Sequence, residues 1–270
     1  MLKKLLKYDL KAISKYFFPM SIFILIYSLI GTLFFRTDSI IHYTGLRRII
    51  VSLVIVAFVF MLIAYNIISQ AIVVVNFYKS MVTDTGYLTH TLPVKKRTLI
   101  ISKTLASLVT LIICGIVMLT CLTVFLDIPN YFSTMYPDIA VIFNKIAELW
   151  GTTTIVATII TLILMLLAAE LFSISMYFVS IAFGQLLNRH KVIGSIVSYF
   201  VLTLILQIIS TILGFFISAY NITFNTLDEL EQLSISFPQS LAFFSLLFGI
   251  SAFVFLFITN WIFSKKLNLD

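Results

Sequence analysis

Charge is what this 270-residue chain has least of: Asp, Glu, Lys and Arg together make up 11%, against about a quarter in a soluble globular domain. Hydrophobic residues reach 61% and mean hydropathy +1.11. So little charge excludes a fold surrounded by water, and the chain reads as an all-α polytopic membrane protein without a separate soluble domain. Cysteine is nearly absent too. Cys114 and Cys121 are seven apart on one expected helix, roughly 10 Å, beyond disulfide reach, so they read as small apolar fillers. The three histidines, His42, His90 and His190, fall in loops or at helix ends without a His or carboxylate at ligand spacing. Neither H-E-x-x-H nor G-x-S-x-G occurs. No G-x-x-x-x-G-K-[ST] occurs either, which excludes a P-loop of the chain's own. The reading is a non-enzyme that binds no cofactor itself.

What is present is long apolar runs. Six can cross a hydrocarbon core, which takes about 20 helical residues: roughly 16–35, 49–75, 105–126, 152–183, 192–220 and 240–263. The fourth and fifth exceed one bilayer thickness and must tilt, kink or project into water.

Orientation follows from the lysines and arginines. With the N terminus inside, 14 of the 18 basic residues face the cytoplasm, leaving Arg36, Arg47, Arg48 and Lys145 outside. Both termini are then cytoplasmic. The net charge of +7 reflects this inner-face bias; nucleic acid is not an expected partner.

Residues 1–15 lack a cleavage site of the signal-peptide kind downstream. They read as an amphipathic interfacial helix, with Lys3, Lys4, Lys7, Lys11 and Lys15 on one face and Leu2, Leu5, Leu6, Leu10 and Ile13 on the other. Such a helix lies in the headgroup layer with its lysines toward anionic lipid. Asp9 interrupts the apolar face. Residues 16–270 form a single six-helix transmembrane domain.

Between the second and third spans the chain keeps a longer segment than a turn requires, about 76–104. It carries Tyr87, Leu88, Leu92 and Pro93, apolar enough to dock on a partner and too polar to enter lipid. Within the spans, Glu170 is the single ionisable acid or base. A carboxylate at mid-membrane costs on the order of 3 kcal/mol unless protonated or paired. Two roles stay open for it, helix packing or assembly, and a place on a substrate path. As a packing residue it would be protonated and donate a hydrogen bond across a helix pair, to Gln207 or a serine of the fifth span. Weakly polar stripes accompany it: Ser173, Tyr177, Ser180 and Gly184 on the fourth span, Thr203, Gln207, Ser210 or Thr211, Gly214 and Ser218 on the fifth. Similar stripes run through Asn66, Ser69 and Gln70 on the second and Ser245, Gly249 and Ala252 on the sixth. Such stripes are the usual contact faces between membrane helices.

Three stretches together resemble ABC-2 type transporter permeases, in particular the small six-helix permeases of low-GC Gram-positive bacteria. They are Leu5-Leu6-Lys7-Tyr8-Asp9-Leu10-Lys11, Gly86-Tyr87-Leu88-Thr89-His90-Thr91-Leu92-Pro93-Val94 with Ser102-Lys103 beyond it, and Ser180-Ile181-Ala182-Phe183-Gly184-Gln185-Leu186-Leu187-Asn188-Arg189-His190-Lys191. One departure is Lys95, where a small capping residue such as Ser is expected. The resemblance implies a cytoplasmic coupling helix between helices 2 and 3 that rests on a separate ATPase subunit, with Asp84, Tyr87, Leu88, Thr89, Leu92 and Pro93 as the contacts. Without the resemblance, the same residues read as an amphipathic loop on the membrane surface. It also implies a second permease subunit, ATP and Mg on the partner, a bacterial cell membrane, and export of a peptide or a hydrophobic or antimicrobial compound. Two other readings stand beside it. One is an accessory or immunity-type membrane protein that binds a toxin or sensor without transport. The other is a secondary transporter, which would need ion-coupling charges and inverted repeats where this chain has Glu170 alone.

Topology is testable directly. Single cysteines at Thr89 and Thr226, in a background free of Cys114 and Cys121, should label from opposite sides. Thr226 should react in intact cells and Thr89 only after permeabilisation. Labelling of both from outside would overturn the six-span reading.

Overall fold

A peptide group in hydrocarbon has no water to bond, so a spanning segment must satisfy its own backbone, and a helix does so residue by residue. The computed structural model describes residues 2–35, 45–83, 95–126, 141, 148, 150–187, 190–224 and 229–265, with their side chains except at 33–35, 46–48, 216–224 and 229–236. Among the described residues there is no strand. The helices are α1 (Leu2–Phe35), α2 (Leu46–Met81), α3 (Lys96–Phe125), α4 (Thr152–Gly184), α5 (Lys191–Phe224) and α6 (Glu229–Lys265). All six are long and apolar enough to cross a membrane, which marks a multi-pass membrane protein.

The helices outrun the apolar stretches that define them. Thirty-four residues at 1.5 Å each make α1 about 51 Å long, well beyond a hydrocarbon core of about 30 Å. α1 runs without a break from Leu2, so the lysine-rich start and the first span are one helix. Nothing in the backbone ends a helix where lipid ends. α2 likewise continues to Met81, and α3 begins at Lys96.

The chain divides into two compact units: Met1–Lys79 with Leu105–Ala140, and Ser80–Thr104 with Val141–Asp270. α3 contributes 96–104 to the second and 105–125 to the first.

In the first unit, α1, α2 and α3 share one core. Ile13, Phe17 and Ile24 meet Val51, Phe58, Leu62 and Tyr65, and Ala106, Cys114, Cys121 and Phe125 complete it. The spacings of three, four, seven and eight put each set on one helix face. Leu6 and Leu10 pack against the same core. The apolar side expected to lie in the headgroup layer therefore packs on protein over these positions, while Lys3, Lys4, Lys7, Lys11 and Lys15 are exposed. Both cysteines are buried and neither is in a disulfide. Polar bonds cross the helices as well. Ser21 Oγ and Tyr65 Oη lie 2.9 Å apart, Tyr27 Oη donates to the Val54 carbonyl at 3.3 Å, and Thr32 Oγ1 donates to the Val124 carbonyl at 2.7 Å.

In the second unit, α4 packs chiefly along α6 and to a lesser extent on α5. Phe172 lies against Phe248 and Phe255, ring centroids 5.2 and 5.9 Å away, and Tyr177 stacks on Tyr199 at 5.5 Å. Gly151, at φ 74°, leads into α4. Burial is concentrated at the far end of that helix, where Ile174, Phe178, Val179, Ile181 and Ala182 are buried. Gly184 belongs there for a steric reason: a Cβ would fall 2.6 Å from the Ser195 amide nitrogen and 2.7 Å from the Lys191 carbonyl oxygen.

Two other glycines give a paired test of the first unit. A Cβ on Gly31 would collide with the Phe125 ring, which stacks on Phe58 with centroids 3.7 Å apart and so has no room to retreat. A Cβ on Gly115 would meet nothing within 4 Å. Gly31→Ala should destabilise by about 1–3 kcal/mol and Gly115→Ala should be neutral or stabilising, read as shifts in thermal unfolding of the detergent-solubilised chain.

Candidate functional site

The segment 76–104 is helix at both ends. Residues 76–81 are the last turns of α2, and α3 starts at Lys96. Lys95 stands at the N-cap: its carbonyl accepts from the amides of Thr98 at 2.9 Å and Leu99 at 3.4 Å. The backbone makes that bond with any residue, so the missing serine hydroxyl does not move the helix start. Asp84, Tyr87, Leu88, Thr89, Leu92 and Pro93 lie outside the described residues.

The flank that follows is firmly held. Lys96 Nζ donates to the Phe263 carbonyl at 2.9 Å, joining the first turn of α3 to the last turns of α6. A carbonyl near a helix C-terminus has lost its intrahelical donor and carries the negative end of the dipole, so an ammonium suits it. Leu99, Ile100, Ser102 and Thr104 are buried one and two turns on, and Ile262 and Phe263 are buried on α6. Lys103 is only 5% exposed. Charge counting places it with the water-facing lysines of the inner side; the fold puts it inside the protein, where an ammonium needs partners to stay charged, and Lys103 is engaged with a neighbour.

Gln185, just past α4, is 6% exposed, and its Nε2 has no hydrogen-bond acceptor among the described residues. In the sequence Ser102, Lys103 and Gln185 stand within longer motifs, and nothing there marks them for burial. Their signal was weak, since each is a polar residue at a helix end, where exposure is the ordinary outcome.

Glu170 is half-buried on α4 and Gln207 is exposed on α5. Among the described residues no hydrogen bond or ion pair joins Glu170 to Gln207 or to a serine of α5. The neighbouring hydroxyls are spent on their own helices. Ser173 Oγ donates to the Ala169 carbonyl at 3.0 Å, Ser180 Oγ to Met176 at 2.7 Å, and Thr211 Oγ1 to Gln207 at 2.8 Å. The polar stripes thus divide. That of α2 is used inside the first unit: Gln70 Nε2 donates to Asn66 Oδ1 at 2.9 Å, Asn66 Nδ2 approaches Met118 Sδ at 3.7 Å, and Ser69 is buried. On α5, Gln207, Ser210, Thr211 and Gly214 are all exposed. Among the described residues no three His, Cys, Asp or Glu side chains gather as a metal site would require.

Comparison with protein-family models, with curated proteins and with solved structures finds no match to this chain.

Glu170 has no bond inside the described chain to lose, so Glu170→Leu should leave the isolated chain as stable or raise its stability by up to about 3 kcal/mol. Glu170→Gln should leave it unchanged. Thermal unfolding of the two variants checks this. A large loss for Glu170→Leu would show that the carboxyl holds the fold together.

Proposed function

We propose that the chain is the membrane-spanning permease subunit of an ATP-driven exporter of the ABC-2 type, set in a bacterial cell membrane with both termini in the cytoplasm. A separate ATPase subunit binds and hydrolyses ATP with Mg, and the 76–104 segment rests on it through Asp84, Tyr87, Leu88, Thr89, Leu92 and Pro93. The permease performs no chemistry and holds no cofactor. A second permease subunit, a copy or a sibling, completes the translocation path. The cargo is a peptide or a hydrophobic or antimicrobial compound.

The observation that carries this reading is the anchoring of the segment's downstream flank. A push on residues 84–94 enters α3 at a helix start tied to the end of α6 by Lys96 and seated on buried Leu99 and Ile100. A loose surface loop would dissipate such a push. A helix start held in this way passes it on to α3 and α6, as a switch between inward- and outward-facing states requires. Two further features support a partner within the membrane. The most hydropathic stretch of α4 has no buried residue and that of α5 hardly any, and Glu170 sits on this sparsely covered part of the chain. An acid there finds its hydrogen bond on a neighbouring subunit or on cargo.

Leu88→Asp with Leu92→Asp tests the reading. Both residues lie outside the hydrocarbon in this scheme, so membrane insertion should be intact. Co-purification with the ATPase should be lost, or hydrolysis should continue without transport. Normal assembly and transport by the double variant would remove the segment from the interface, and the accessory, non-transporting reading would take its place.

A further inference from the structure

Within the first unit an apolar cleft of about 320 Å³ opens between α1 and α2. Its shape follows from two residues. Pro19 is a compact ring on α1. Ala64 is the one small side chain on α2 in a run of large ones that includes Phe60, Met61, Ile63, Ile67 and Ile68. Both positions are exposed, so the cleft is open to the side. Phe23 and Met61 form walls, Ile68 lies at the rim, and the ring of Tyr65 closes the floor. The floor is fixed: the Tyr65 hydroxyl is bonded to Ser21 at 2.9 Å and its ring lies 6.0 Å from that of Phe17. The one polar group near the floor is thereby occupied, and the cleft offers nothing to a polar ligand.

We propose that this cleft is a binding site for one acyl chain of an anionic phospholipid, whose headgroup is held by Lys15 and Lys11. Two observations select the occupant. The cleft opens sideways from helices that cross the membrane, so the medium at its mouth is lipid tails. Its volume holds roughly ten groups the size of a water or a methylene, at about 30 Å³ each, which is a segment of one chain and too little for a folded partner. The second observation is charge. Lys15 precedes Pro19 by four residues and so lies on the same side of α1, about 6 Å along the axis, with Lys11 the same distance further. Both are exposed. A phosphate at that level and a chain running toward Phe23 together match the spacing of a phospholipid entering the bilayer. Anionic headgroups are favoured by about 1 kcal/mol per lysine near the surface, so phosphatidylglycerol should be held in preference to phosphatidylcholine. This inference concerns the first unit alone and stands whether or not the chain transports anything.

The test is native mass spectrometry of the full chain released from micelles containing equal amounts of phosphatidylglycerol and phosphatidylcholine with identical chains. The wild-type chain should retain phosphatidylglycerol preferentially. Ala64→Trp fills the cleft and should remove one retained phosphatidylglycerol per chain. Ile68→Trp should do the same from the rim, where the native side chain is already 43% exposed and a larger one is easily tolerated. If Ala64→Trp does not fold, Ile68→Trp decides. Lys11→Gln with Lys15→Gln should keep the retained number and lose the preference between the two lipids. The proposal is overturned if the filled variants retain as much phosphatidylglycerol as wild type, or if the wild-type chain retains both lipids equally.

Discussion

Every other feature of this molecule depends on one constraint: a hydrogen bond not made within the protein has no water to replace it in the bilayer. Among the described residues the backbone meets it in six long helices. The hydroxyl side chains meet it by folding back on their own helix. Thr158, Thr203 and Thr211 each donate to the carbonyl four residues earlier, at 2.7, 2.8 and 2.8 Å. A threonine bonded in this way is apolar to its surroundings. α4 and α5 can therefore carry many polar side chains at positions that are exposed among the described residues. Where a hydroxyl bonded back to its own helix also reaches another, as Ser21 does to Tyr65 or Thr32 to the Val124 carbonyl, it orients a helix pair that packing alone would leave free to slide.

Packing is uneven between the units. The first has a core threaded through all three of its helices and locked by the stacked rings of Phe58 and Phe125. Among the described residues the second is densest at one end, where Gly184 admits the start of α5 and Lys96 ties α3 to α6. Along the rest of α4 and α5, large apolar side chains such as Ile163, Leu166, Phe200 and Leu204 are exposed. Under the exporter reading this contrast has a use. A solid end receives force, and a sparsely packed remainder has room to change its neighbours as the path opens.

Much of this was legible in the sequence. The number of spans and their approximate limits followed from hydropathy because the transfer of about 20 residues into lipid is a sum, and sums tolerate local error. That Cys114 and Cys121 form no disulfide with each other followed from helical geometry alone. Helix ends were less legible. The spans expected to begin near residues 16 and 105 belong to helices that start at Leu2 and Lys96, since hydropathy marks where lipid stops and hydrogen bonding continues past it.

The amino-acid sequence by itself determined that this chain leaves water, that it does so as six helices, and which residues are too polar for the spans. Tertiary structure decided which apolar residues face protein. Leu10 and Ile13 pack in a core, Ile163 and Leu204 do not, and Lys103 is buried although a lysine at a helix start usually meets water. The physical reason is that lipid tails and protein interiors are equally apolar. Hydropathy separates water from both and cannot separate one from the other; that distinction arises only when a second helix arrives with a side chain of matching shape.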